Sequence, residues 1–337
     1  MKTPAYAGPQ CRSRRQLIAA TLGGALLAIS AGSALAADSY PQKPIRIIVP
    51  WPAGGLVDLP ARLLADKLQA ELGGTVIVEN KTGAGGTIGA DAVAKAPADG
   101  YTLMVTTSAI AINQAVGLPQ PFNLLQDFRP VAALAYAPLI LVTHPTQGPK
   151  SVADLIARAR ATPGQLNYAS AGNGTPGHLA GEWLKAREKL DILHVAYKGG
   201  PPAMTDQIGG RVDFHFANAA VALPQITAGK VAALAVASAK RMPQLPQVPT
   251  MAEAGEPGFN TDQWIGLLAP KGTSDAVVQR LNQAAAKALG DATVRDAMTR
   301  SGITAADPAG AAQFAAEVRT DLDKWTDIVR TAHIKVE

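Results

Sequence analysis

The chain of 337 residues carries 31 Lys and Arg against 26 Asp and Glu, and 47% of it is hydrophobic, enough to build a core. Four of the bases (Lys2, Arg12, Arg14 and Arg15) fall within residues 1–36, which hold no acid. The remainder is almost neutral and lacks the basic field that nucleic acid or an anionic membrane surface requires, and with Cys11 as the single cysteine it excludes disulfides, thiolate zinc, iron–sulfur clusters and a cysteine nucleophile.

Residues 1–36 read as a secretory signal: a basic stretch to Arg15, an apolar run from Leu17 to Ile29, and small residues at Ala34-Leu35-Ala36. Cleavage near Ala36 leaves a mature chain beginning at Ala37, and the expected destination is the periplasm. The apolar run is short and rich in small residues for a membrane span; a retained anchor helix is the alternative. Ser13-Arg14-Arg15-Gln16-Leu17-Ile18 resembles a twin-arginine export motif, so the general and twin-arginine routes both stay open.

Beyond the signal, strand and helix patterns alternate. Ile45–Val49 reads as a buried strand, followed by Val57, Ala61, Leu64, Leu68 and Leu72 at helical spacing. Further strands are expected at Thr75–Glu79, Thr102–Thr106, Leu139–Thr143, Leu166–Ser170, Ile192–Val195 and Ala233–Ser238, with helices at Ser151–Arg160, Thr175–Arg187 and roughly Ala217–Ala228. Prolines at 243, 246, 249 and 257 punctuate a surface segment before a strand at Trp264–Ala269. The last 65 residues read as mainly helical, with Val277, Leu281, Ala284 and Leu289 on one helix and Phe314, Val318, Leu322 and Trp325 on another. This alternation predicts an α/β fold with ligands at the carboxyl ends of strands.

Three Gly-rich strand-to-helix turns stand out. In Pro50-Trp51-Pro52-Ala53-Gly54-Gly55-Leu56-Val57-Asp58, paired glycines let N–H groups converge at a helix start, an anion cradle made of main chain. Asp58 alone is better read as a cap paired with Arg62 one turn later. In Tyr168–His178, Gly172, Asn173 and Gly174 present backbone donors, the Asn173 amide and Thr175 hydroxyl add neutral polar groups, and Thr175 with Pro176 makes a helix start. His178 reads as a structural hydrogen-bonding histidine. The third turn, Thr82–Gly89, looks like a loosened dinucleotide fingerprint; helix start and backbone packing explain it better. His144, His178, His194, His215 and His333 show no paired ligand spacing, so neither a metal nor a cofactor is expected.

Taken in order, these loops resemble the tripartite tricarboxylate transporter substrate-binding proteins, the Bug family of periplasmic receptors. Tyr40-Pro41, Ile48-Val49-Pro50 with Gly54-Gly55 and Asp58, Val78-Glu79-Asn80 with Gly83–Gly86, and Asp99–Leu103 carry the first part of the match. Tyr168-Ala169-Ser170 with Gly172, Gly174 and His178, then Tyr197-Lys198-Gly199, Thr205-Asp206, Ala228-Gly229-Lys230, Val248-Pro249-Thr250 and Pro257-Gly258-Phe259 extend it. The resemblance implies a two-domain, hinged binding-protein fold of the type II kind with the ligand cleft between domains. The chain would cross near Leu139 and near Asn260, giving one domain from 37–139 plus 261–337 and an inserted one from 140–260. It also implies that the two loops face each other and grip a small organic carboxylate. That places Trp51, Ala53, Gly54, Gly55 and Asp58 on one lip and Ser170, Gly172, Asn173 and Thr175 on the other, with Thr107, Asn113, Tyr197 and Asp213 also lining the cleft. The implied partners are the membrane permease subunits of a tripartite transporter, and the receptor is expected to be a monomer.

Departures from the family pattern include Trp51 in a variable position, Leu59-Pro60, Asn173 and Thr175 where serine is frequent, Ala196 before Tyr197, and Phe214–Asn218, where His215 reads as decorating a strand and a cleft-facing side chain is the alternative. They bear on which acid is bound, and an aromatic partner for Trp51 is one reading. A sensor feeding a signalling partner is a second functional reading. A third is a serine hydrolase using Ser170 or Ser108 with His178 or His194, although no Gly-x-Ser-x-Gly elbow is present.

Overall fold

Strand β1 (Ile45–Val49) buries Ile45, Ile47, Ile48 and Val49, as a strand covered on both faces must. It leads into α1 (Asp58–Leu72), which turns Ala61, Leu64 and Leu68 to the core and stops at Gly73 in the left-handed region. Then come β2 (Val76–Asn80), α2 (Thr87–Ala94), β3 (Thr102–Thr107), α3 (Ala109–Ala115), the short α4 (Leu124–Asp127), and β4 (Phe128–Ala137). Pro138 alone separates β4 from β5 (Leu139–Thr143). The chain continues through α5 (Val152–Ala161), β6 (Asn167–Ser170), α6 (Pro176–Glu188), β7 (Leu193–Ala196), α7 (Gly200–Ile208), β8 (Phe214–Asn218), α8 (Ala219–Thr227) and β9 (Ala232–Val236). It returns in β10 (Gln263–Pro270) and finishes with α9 (Asp275–Gly290), α10 (Ala292–Arg300), β11 (Thr304–Ala305) and α11 (Ala311–Thr331).

This computed structural model describes residues 40–332 and Ile334; the signal read at 1–36, Cys11 and His333 lie outside the described residues. From Lys43 onward the chain is one unit, and every contact below lies within it. Its fold is the two-domain α/β architecture of binding proteins, built on two sheets. The first has the order β11-β4-β10-β3-β1-β2, parallel among β1, β2 and β3 and antiparallel where β10 enters; the second has the order β7-β6-β8-β5-β9. In the second sheet β6 runs parallel to β7 and β8, while β5 is antiparallel to β8 and β9. Helices α5 and α6 cover one face of it through Leu155, Leu184, Tyr168 and Phe214, and α7 with α8 cover the other through Met204, Ala222 and Val142.

Two links join the sheets, and they run side by side. The Ala237 N–H donates to the Leu139 carbonyl (2.8 Å) and the Thr261 N–H to the Ala237 carbonyl (2.9 Å). Beside them, Trp325 and Ile328 of α11 pack on Ile112 of α3 and on Leu179 of α6.

Three elements differ from the sequence reading. Phe128–Ala137 is a ten-residue strand, unforeseen because four alanines and Pro130 weaken its β signal. It forms because β10 and β11 pair along its two edges, and the pairing with β10 takes up irregularities between Ile265 and Gly266 and between Leu267 and Leu268. The helix expected from Ala217 starts at Ala219, because Phe214–Asn218 is the central strand β8. In the last helices the apolar stripe holds for Leu281, Ala284, Leu289, Phe314, Val318, Leu322 and Trp325, but at the start of α9 it is Val278 rather than Val277 that is buried.

Candidate functional site

The C-terminal ends of β1, β3 and β6 and the start of β10 converge on a cavity of about 400 Å³. Its wall takes Trp51, Pro52, Gly55, Leu56 and Val57 from the β1–α1 loop, Gly85 from the loop after β2, and Thr107, Ala109, Asn113 and Leu118 from the end of β3 onward. The facing wall is Asn173, Gly174, Thr175 and Pro176 from the β6–α6 loop, with Gln263 at the second link. The two Gly-rich loops read from the sequence therefore share one cavity. No described residue of its lining carries a charged side chain.

Six of the thirteen residues singled out from the sequence line this cavity: Trp51, Gly55, Thr107, Asn113, Asn173 and Thr175. The other seven are placed elsewhere, each for a visible reason. Asp58 is buried (4% exposed), and its carboxylate is fully used. It accepts from the Gly54 N–H (2.9 Å), the Arg62 guanidinium (2.9 and 3.1 Å) and the Asn80 amide (2.8 Å). Burial alone would raise its pKa, but these donors outweigh that and hold it below the usual carboxylate value. Asp58 thus clamps the loop through the Gly54 N–H, and Ala53 and Gly54 lie exposed at the loop's outer bend.

Ser170 is fully buried, and its hydroxyl closes the base of the β6–α6 loop. It donates to the Gly172 carbonyl (3.0 Å), accepts from the Gly172 N–H (3.1 Å) and lies 2.7 Å from His194 Nε2. Gly172 is tied into the same base. Tyr197 follows β7, and its hydroxyl donates to Asp206 on α7 (2.6 Å). Asp213 sits at the opposite, N-terminal end of β8, where it accepts from the Asn167 N–H (2.8 Å).

The Ser170–His194 contact has the length a nucleophile and base would need, yet Ser170 is sealed from solvent and lines neither this cavity nor the larger one near Asp262. His194 stacks on His178 (ring centroids 4.2 Å apart) and on Tyr168. Burial and the His178 neighbour push His194 down to about 4, so it is neutral near pH 7, and burial also lowers His178. His178 accepts the Gly174 N–H on Nδ1 (3.0 Å), the structural role expected for it.

Backbone bonding changes the picture of the loops as open cradles. The N–H groups of Gly54, Gly55, Gly172, Gly174 and Thr175 are all engaged inside their own loops. What the wall leaves free is a different set of neutral donors. Thr107 is 4% exposed and its hydroxyl has no partner among the described residues, nor has Asn173, nor have the backbone N–H groups of Trp51, Leu56, Val57, Gly85 and Ala109. Each of the other polar side chains spends one hydrogen, and the two amides keep a second. The Asn113 amide donates to the Gly85 carbonyl (2.9 Å), the Thr175 hydroxyl to the Gly172 carbonyl (2.6 Å), and the Gln263 amide to Asn218 (2.9 Å).

Sequence reasoning missed Gln263, Leu56, Leu118 and Gly85. Gln263 carries no motif and reaches the cavity only because β10 opens at the second link. Gly85 belongs to the turn set aside as a dinucleotide look-alike. Close packing is the main use of that turn: a Cβ on Gly89 would lie 2.6 Å from the Lys81 carbonyl, and one on Gly86 would lie 3.1 Å from the Trp51 ring. The Trp51 indole is further fixed by its Nε1–H donating to the Thr106 hydroxyl (3.3 Å).

Among known proteins, residues 60–334 match the model of the tripartite tricarboxylate transporter family receptor. BugT of Bordetella pertussis is 39% identical over 309 residues, 90% of this chain and 93% of that protein. A solved R. palustris protein with adipate is 34% identical (TM-score 0.75), covering 88% of this chain and 99% of that one. MatC from Rhodopseudomonas palustris with bound malate is 33% identical (TM-score 0.72), covering 86% and 100%.

Proposed function

Because the chain belongs to the tripartite tricarboxylate transporter receptor family, we propose that it captures a small organic carboxylate between its two Gly-rich loops and hands it to membrane permease subunits. The observation that carries this reading is the cavity itself, where loops from both sheets meet around free neutral donors. A carboxylate needs no buried arginine there, because several N–H and O–H groups disperse its charge. The adipate and malate held by two similar proteins agree with that ligand class.

In this reading residues 140–260 move as a body against the rest about the paired links at Leu139, Ala237 and Thr261. Closure follows from ligand contact with both lips, since only a difference in affinity for the closed state shifts the population. Asp58 and Ser170 act as loop scaffold, and the receptor works as a monomer in the periplasm after loss of residues 1–36.

Thermal denaturation with a panel of mono- and dicarboxylates tests the capture step. A ligand at a hundred times its Kd adds about 2.7 kcal/mol, which for a chain of this size is a rise in Tm of roughly 5 °C. If no acid in the panel raises Tm or gives a calorimetric signal, the receptor reading fails. Deletion of the gene, followed by uptake of the acid that binds, tests delivery; unchanged uptake would remove the permease from the account.

A further inference from the structure

The ligand cavity and the larger one near Asp262 lie on opposite faces of the second link. Gln263 lines the first, while its neighbours Asp262 and Trp264 line the second, as the alternation of an extended chain requires. The larger cavity, about 650 Å³, is walled by Lys240, Arg241 and Asn260 on one side and by Tyr136, Glu317, Asp321 and Lys324 on the other. Both bodies of the receptor reading contribute to it, so a rotation about the paired links that narrows the ligand cavity widens this one. Asp262 stands at the link itself: its carboxylate accepts from the Ala239 N–H, and its Oδ1 is buried with no partner among the described residues. Glu317 and Asp321 line the same cavity from α11. Glu317 accepts from the Tyr136 hydroxyl (2.9 Å), and Asp321 accepts from the Trp264 indole (3.0 Å) and pairs with Lys324 (2.6 Å). Lys324 also donates to the Asn260 carbonyl (3.4 Å). The remaining charges of the wall are exposed: Lys240, Arg241 paired with Glu253, and Asp307 beside Arg295. Three carboxyl groups thus share one ammonium, that of Lys324.

We infer that the carboxyl cluster behind the hinge links ligand capture to a proton: Asp262 holds one while the larger cavity is narrow and surrenders it when the lobes close on the ligand. The inference rests on the receptor reading above and on its hinge. Burial, with Glu317 and Asp321 close by, pushes Asp262 up to about 7, and burial also raises Glu317 and Asp321. When the cavity behind the hinge widens, water reaches Asp262 and its hold on the proton falls toward that of an ordinary carboxylate. Below pH 7 closure must first strip this proton, and above pH 7 there is little left to strip, so capture strengthens as pH rises. At pH 6 about ten molecules in eleven carry the proton, which makes binding about tenfold weaker than at pH 8. His194 and His215, both lowered to about 4, stay neutral across that window and leave it to the cluster.

Titration calorimetry between pH 6 and pH 8, in buffers of different ionisation heat, counts the protons released per ligand bound. The probes are malate and adipate, the acids held by the two similar proteins, and every further acid that raises Tm in the panel above. The unaltered protein is expected to release about one proton at pH 6 and about a tenth of one at pH 8, with the roughly tenfold tightening between them. Asp262→Asn imitates the protonated acid, so its affinity should stay level over the range, near the weak value of the parent at pH 6. Subtracting its proton count from the parent's cancels the ligand's own protonation. Glu317→Gln removes a neighbouring charge and should move the parent's transition to lower pH, a second arm that stands if Asp262→Asn folds poorly. Equal proton counts in parent and Asp262→Asn, binding that tightens on acidification, or a transition unmoved by Glu317→Gln would overturn the inference while leaving the receptor reading intact. Silence from every acid would remove both.

Discussion

Two buried groups push the acid stability of this protein in opposite directions, and separating them tests the burial argument quantitatively. His215 on β8 is 2% exposed, its Nδ1 has no partner among the described residues, and burial lowers its pKa from 6.5 to about 4. Asp262, beside the second link, is pushed from 3.8 up to about 7, chiefly by burial and further by Glu317 and Asp321, against the pull of Lys324. A depressed histidine contributes stability that is present above its unfolded pKa and lost as pH falls toward the folded value. A raised aspartic acid behaves inversely: its penalty grows as pH rises through the same window and is relieved on acidification. Between about pH 7 and pH 5, linkage gives a loss of roughly 2 kcal/mol from His215 and a gain of roughly 2 kcal/mol from Asp262. From these two groups the unaltered protein therefore draws almost no net pH dependence. His215→Gln should become more stable on acidification, and Asp262→Asn less stable, by about 2 kcal/mol each relative to the parent. Urea unfolding of the three proteins at both pH values measures this directly. If both variants keep the parent's pH response, the two groups are better solvated than their burial implies and the reasoning is wrong.

Asp58→Ala should lower stability without ligand by roughly 2 kcal/mol, since a buried carboxylate and its bonds to Gly54 and Asn80 go while the half-exposed Arg62 pair adds little; a loss of ligand affinity with unchanged stability would instead make Asp58 a direct contact. Gly177→Ala places a methyl 2.6 Å from the Phe216 carbonyl, so α6 must shift from β8; a cost of about 1–3 kcal/mol and weaker ligand binding are expected in chemical denaturation and calorimetry, and a neutral variant would show that the helix start yields freely. Ser170→Ala should leave no esterase turnover to lose and should loosen the β6–α6 loop, read as faster amide exchange at Gly172; a turnover present in the parent and absent in this variant would reinstate the hydrolase reading.

Most of the parallel framework was legible because its strands are short β-branched runs ended by glycine loops, Ile45–Val49 being the clearest. Strand β8 was legible only in that His215 read as strand-borne, and the long β4 was not legible, because phenylalanine and alanine in mixed order carry no period and the partners that make them strands lie far along the chain. The cavity was legible at the level of loops. Paired glycines mark where the chain turns at a strand end, and so Trp51, Gly55, Asn173 and Thr175 were within reach. Which atoms of those loops stay free was not legible. Sequence shows that Asp58, Ser170 and His178 sit near the turns; only the folded loops reveal that each takes up an N–H of a loop glycine. The same holds for Gln263, brought to the wall by the return of β10.

A crystal structure of the protein bound to the carboxylate it holds most tightly confronts the account head on. The carboxylate should lie within hydrogen-bond reach of the Thr107 hydroxyl and of Asn173, with its body against Trp51 and no lysine or arginine nitrogen touching its oxygens. An acid anchored by a basic side chain, or seated in the cavity around Asp262 instead, would contradict it.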